Sequence, residues 1–192
     1  VITWSDGDKL TDGKYTYEFN GKAQMPLAST ADGENLSYVI KNSDGTTVNA
    51  AIAAGEYTIT VSPVSSDYVI ASDNTVTVVI TPKTVAVQWG SLTLDYTGEA
   101  IAPKAWFIDA NNQAVELEVS SAQTEAGTNY SVTADFKKAT ANYVLDSSTV
   151  NNTFDIVKNT EQTLVWDWTT GSWITPSAPE PEPEPEPETT QA

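Results

Sequence analysis

The sequence contains no cysteine, no histidine and no arginine, and only one methionine. Without cysteine there are no disulfides, no thiolate nucleophile and no zinc site built on sulfur. Without histidine there is no imidazole base near neutral pH and no His-based triad. Nine lysines face 26 Asp plus Glu, a net charge of -17. Phosphate recognition needs clustered positive charge, so nucleic acid is a poor partner, and so is an anionic membrane surface. Long apolar runs are also missing: Ala50–Ala54 is among the longest, against the ~20 residues of a membrane-spanning helix. Neither a G-x-S-x-G elbow nor a phosphate-cradling glycine loop is present. These gaps point away from catalysis. The lack of cysteine suits the exterior of a Gram-positive cell, and a cytosol equally. A start at Val1 rather than Met is what a processed or excised fragment would have.

What is present reads as strands. The chain has 192 residues, 40% of them apolar, enough for one core or two small ones. Thr, Val, Ile and Tyr fill short alternating runs, with Gly, Asn, Asp and Ser clustered between them. Tyr57, Ile59 and Val61 share one face of such a run. Tyr130, Val132, Ala134 and Phe136 form a second set, Leu92, Leu94 and Tyr96 a third, and Val115, Leu117 and Val119 a fourth. No window keeps a helical period, so an all-β fold with few or no helices is expected.

The chain also repeats itself. Tyr15-Thr-Tyr-Glu-Phe-Asn-Gly-Lys-Ala-Gln-Met-Pro26 aligns with Leu92-Thr-Leu-Asp-Tyr-Thr-Gly-Glu-Ala-Ile-Ala-Pro103. Ala54-Gly55-Glu56-Tyr57 answers Ala126-Gly127-Thr128-Asn129-Tyr130 with one insertion. Asp67-Tyr68-Val69-Ile70 answers Asn142-Tyr143-Val144-Leu145, and Thr77–Ile80 answers Thr153–Ile156. Trp4 and Trp89 occupy equivalent places, and the units end near Lys83 and Lys158. A period of about 75 residues is right for a small sandwich of roughly seven short strands. A weaker echo follows, in which Leu164-Val-Trp-Asp-Trp168 resembles Val85-Ala-Val-Gln-Trp89.

A strand ending in Trp, then aromatic-x-Gly-x-Ala with a nearby Pro, then Ala-Gly opening an alternating strand, then Asn/Asp-Tyr and a final strand ending in Lys: this resembles the MBG-type Ig-like repeats of bacterial surface proteins. The resemblance covers residues 1–83 and 84–159, with Ser5–Lys14 and Trp106-Phe107 as departures. It implies an extracellular, cell-surface or secreted location, tandem arrangement, and a role as stalk or adhesion module presenting a neighbouring domain. It implies no catalytic residue set and no cofactor.

The expected architecture is therefore two tandem Ig-like β-sandwich repeats, 1–83 and 84–159. A Trp-rich strand at 160–175 then either docks on the second repeat or begins a truncated third. From Pro179 to Pro187 every second residue is proline, alternating with glutamate. Pro enforces extended geometry and the Glu charges repel, so 176–192 reads as a stiff linker leading to another module.

Tryptophan offers the main route to a binding function. Trp106, Trp166, Trp168 and Trp173 have no counterpart in the first repeat. Trp166 and Trp168 lie two apart and would share a face of a strand. Exposed indole rings stack on sugars, and Asp167, Asn111, Asn112 or Gln113 would bond the hydroxyls. A polysaccharide or host glycan is the ligand this implies; the alternative is that the rings only pack the tail strand. Asp6-Gly-Asp-Lys-Leu-Thr-Asp-Gly13 has the Asp-x-Asp start of a calcium loop but lacks the glycine at its sixth position and the closing Glu. It reads as a solvated hairpin insert or a looser Ca2+ site. Lysines and asparagines for an isopeptide link exist, but no spacing singles out a pair.

Overall fold

The structure is a computed structural model that describes residues 1–70 and 73–158 and the backbone of 165–167 and 171–174. The expected 176–192 linker lies outside the described residues. Residues 1–157 form one compact unit and 158–192 a second. The expectation of an all-β chain holds: among the described residues there is no α-helix, and the one helical element is a 3-10 turn at Gly7–Lys9. The packed sheets are sandwich-like.

The strands up to residue 81 are β1 (Ile2–Trp4), β2 (Leu10–Thr11), β3 (Lys14–Glu18), β4 (Ala28–Thr30), β5 (Leu36–Asn42), β6 (Thr47–Val48), β7 (Gly55–Pro63) and β8 (Thr75–Thr81). Then come β9 (Lys83–Val85), β10 (Gln88–Trp89), β11 (Thr93–Asp95), β12 (Ala105–Ile108), β13 (Ala114–Glu116), β14 (Glu118–Val119), β15 (Gly127–Asp135), β16 (Tyr143–Leu145) and β17 (Asn151–Val157). In the second unit β18 (Val165–Asp167) pairs antiparallel with β19 (Ser172–Ile174).

One set of pairings occurs twice. β3 runs parallel to β8, and β11 parallel to β17. Antiparallel pairs join β7 to β8 and β15 to β17, and likewise β1 to β4 and β10 to β12. Local bonds recur as well. The N–H of Phe19 donates to the Thr81 carbonyl and that of Tyr96 to the Val157 carbonyl. The indole N–H of Trp4 reaches the Asp73 carbonyl at 3.0 Å, and that of Trp89 the Thr149 carbonyl at the same distance. Gly21 and Gly98 take φ of +76° and +81°, left-handed values that side chains resist. Pro26 and Pro103, five residues on in each case, are fully buried.

The strand alternation translates into burial. Tyr57, Ile59 and Val61 all face inward, with Ile59 and Val61 wholly enclosed. The first core gathers Tyr15, Phe19, Ile40, Ile59, Val78 and Ile80. A second gathers Val85, Val87, Ala105, Phe107, Leu117 and Ala134, and a third Val132, Phe154 and Ile156. The extra residue in β15 appears as a bulge between Gly127 and Tyr130, with Asn129 at φ +57°.

Between the halves lies a packed seam. Tyr143 packs against both the first and the second core. Its ring meets Phe19 edge-on, centroids 5.2 Å apart, and Phe107 at 5.0 Å. Its hydroxyl accepts the Ala110 N–H at 2.9 Å. Asn142 accepts the Ala54 N–H at 2.8 Å through its side-chain oxygen. β9 lies parallel to β16, with Lys83 opposite Tyr143 and Val85 opposite Leu145.

Candidate functional site

Among the Trp residues singled out above, Trp106 is the one whose side chain is described. It sits on β12, where Ala105 and Phe107 point into the core and Trp106 and Ile108 alternate outward, half-buried. Its register partners are Gln88 on β10 and Glu116 on β13. Cross-strand partners project on the same side of a sheet, so Gln88, Trp106 and Glu116 form one row. The indole N–H donates to the Gln88 amide oxygen at 2.9 Å, which fixes the ring and leaves the Gln88 amide its two N–H donors. Gly90 lies beneath the ring edge, and a Cβ there would sit 3.7 Å from Cζ3. At the other end the Glu116 carboxylate accepts from the Lys137 ammonium, which holds the Glu116 carboxyl below its ordinary range.

Beside this row is an open hollow of about 390 Å3. Phe107, Phe136, Val115 and Tyr143 give it an apolar floor, with Phe107 and Phe136 packed edge-on at 5.7 Å. Glu116, the end of the row, and its partner Lys137 also stand at the rim of the hollow, with Lys138 alongside. An apolar floor with a few charged rim groups is the general form of a small-ligand site.

The remaining site candidates are distributed differently. Asn111, Asn112 and Gln113 are exposed in the turn from β12 to β13. That turn is organised by Asp109, whose Oδ1 accepts from the N–H groups of Asn111 and Gln113, each at 2.8 Å. Trp166 and Trp173 are opposite one another in the β18–β19 register, and Asp167 is opposite Ser172. Trp168 lies outside the described residues. Sequence reasoning grouped Trp166 with Trp168, whereas the hairpin gives Trp166 a cross-strand partner in Trp173. It also missed Gln88 and Glu116, which only the pairing of β10, β12 and β13 brings beside Trp106.

In the Asp6–Gly13 insert, Asp6 takes φ +57° and accepts a hydrogen bond from the Tyr17 hydroxyl at 2.9 Å. Burial and then this carboxylate push the Tyr17 phenol well above its usual range. Asp8 lies 3.8 Å from the Lys9 ammonium, and Asp12-Gly13 forms the two-residue turn from β2 to β3. The insert is thus a hairpin whose first acid is already engaged. Among the described residues no group of three or more acidic side chains is placed to hold a metal ion. None of their helices is long and apolar enough to cross a membrane.

No family model matches the chain, and no curated protein matches it.

Proposed function

We propose that this chain is a non-catalytic spacer of an extracellular bacterial surface or secreted protein. In this reading, residues 1–83 and 84–159 are two copies of one Ig-like unit, and the Pro-Glu segment carries the projection on to a neighbouring module. The recurrence of the same strand pairings supports the two copies. The observation that carries the spacer role is the seam: Tyr143 packs against both cores, Asn142 bonds Ala54, and the connecting strand β9, which leaves the first half at Lys83, is held in a two-stranded sheet with β16 of the second. A joint made of shared core, side-chain bond and strand pairing resists bending, which a spacer needs and a flexible tether does not.

The absence of native cysteine makes the test clean. Spin labels at Asp44→Cys and Thr124→Cys, in the two halves, report the distance distribution by pulsed electron resonance. A narrow distribution that broadens in Tyr143→Ala is expected. A broad distribution in the parent chain would remove the spacer role.

The outward-facing, half-buried indole of Trp106, with amide and carboxylate neighbours in one row, favours polysaccharide binding as a second reading. Retention on insoluble starch, cellulose, xylan and mucin should fall in Trp106→Ala, and comparison with Trp166→Ala and Trp168→Ala apportions the contribution of the tail. If the parent chain stays in the supernatant with every polymer, only the spacer reading stands.

A further inference from the structure

In the second half, the short strand Tyr143–Leu145 is covered in parallel by Lys83–Val85. The Lys83 N–H donates to the Asn142 carbonyl at 2.9 Å, and the Asp146 N–H donates to the Val85 carbonyl at 2.8 Å. The equivalent segment of the first half is Tyr68–Ile70, and among the described residues no strand pairs with it. The difference shows in exposure: Val69 is 92% exposed, while its counterpart Val144 is 50% exposed. Tyr68, equivalent to the seam residue Tyr143, is 47% exposed.

Beside this edge is a hollow of about 80 Å3, bounded by Val1, Tyr68, Val69 and Ile70 and by the acids Asp32 and Glu34. Asp67 stands where Asn142 stands in the second half, at the position that receives the Lys83 N–H. A strand entering here with lysine first would therefore bring that lysine to Asp67, on a surface that also carries Asp32 and Glu34, the latter accepting the Ser65 N–H. The alignment of Trp4 with Trp89 puts Val1 at the position of Ala86, directly after Val85.

We propose that the Tyr68–Ile70 edge is a docking site for the exit strand of a like β-unit, an extended Lys-Thr-Val-type segment that adds in parallel and runs in line into Val1. Strand addition gives main-chain bonds, the acidic surround selects a basic first residue, and the hollow receives the apolar end. This extends the seam described above to a second place on the molecule, and its failure would leave the seam and its distance measurement untouched.

The test uses the full chain with Ile-Thr-Pro-Lys-Thr-Val, the sequence of residues 80–85, placed before Val1. Covalent attachment supplies a high effective concentration. The control extension is Ile-Thr-Pro-Pro-Thr-Pro, which lacks the donating N–H groups. In the second half the parallel register turns the Val144 N–H toward Lys83 and the Leu145 N–H away from it. Amide exchange at Val69, the counterpart of Val144, should therefore slow by about tenfold or more relative to the control. The Tm should rise by about 2–4 °C. Equal exchange rates at Val69 in the two extended chains would overturn the proposal.

Discussion

Phe154 and Gly98 mark the two ways single residues constrain this fold. Phe154 is 1% exposed and packs its ring 5.6 Å from that of Tyr130. Its core is small, so little can collapse into the space left by truncation. Phe154→Ala should cost about 3–5 kcal/mol, read from urea unfolding. Gly98 acts through the backbone: its φ of +81° is a value L side chains resist, although a Cβ there would meet nothing. Gly98→Ala should cost roughly 1–2 kcal/mol with no change in the core. Asp146 contributes through pH. Its carboxylate accepts from the N–H and hydroxyl of Ser148, which lowers its pKa below the ordinary value. A carboxyl with a depressed folded pKa stabilises fully above its unfolded pKa, and this contribution disappears as pH falls through the lower folded value. Between neutral and strongly acid pH, Asp146→Asn should therefore lose less stability than the parent, as urea midpoints would show. The glycines were legible in the sequence because their positions recur. The role of Asp146 was not, because an acid in a turn looks like any other among 26.

Among the elements, β7 was read almost in full, since strict alternation of Tyr57, Ile59 and Val61 has one physical meaning in a half-buried strand. The one-residue insertion in Ala126–Tyr130 relative to Ala54–Tyr57 was equally visible. The structure turns it into a bulge whose left-handed residue, Asn129, donates its N–H to Asp155 at 2.8 Å. Asparagine tolerates that conformation and β-branched residues do not. Asn129→Val should cost about 1–2 kcal/mol, while Asn129→Gly should stay within a few tenths, by the same unfolding assay. What the sequence hid is the pairing of β9 with β16. Three-residue strands nearly sixty residues apart leave no local pattern, and nothing in Lys83-Thr84-Val85 announces its partner. The row of Gln88, Trp106 and Glu116 was hidden for the same reason: it exists only across strands. The hairpin character of the Asp6–Gly13 insert was readable from Asp12-Gly13, a turn pair that accepts positive φ at both positions.

For the whole molecule, charge is the simplest lever. The described ion pairs Lys9–Asp8, Lys14–Glu56 and Lys137–Glu116 are all solvent-exposed and contribute little each. Mutual repulsion within a chain of net charge -17 outweighs them. Salt should therefore stabilise: the Tm should rise steadily as sodium chloride increases from a few millimolar to physiological strength, in differential scanning calorimetry. A last consequence follows from direction. β3 and β8 run parallel, as do β11 and β17, and each pair joins an early strand of its half to the final one. Tension applied through the two ends slides such strands along each other, so their hydrogen bonds bear load together instead of parting one at a time. Pulled from both ends, each half should hold until its parallel pair gives way and then lengthen abruptly, as a mechanical clamp does.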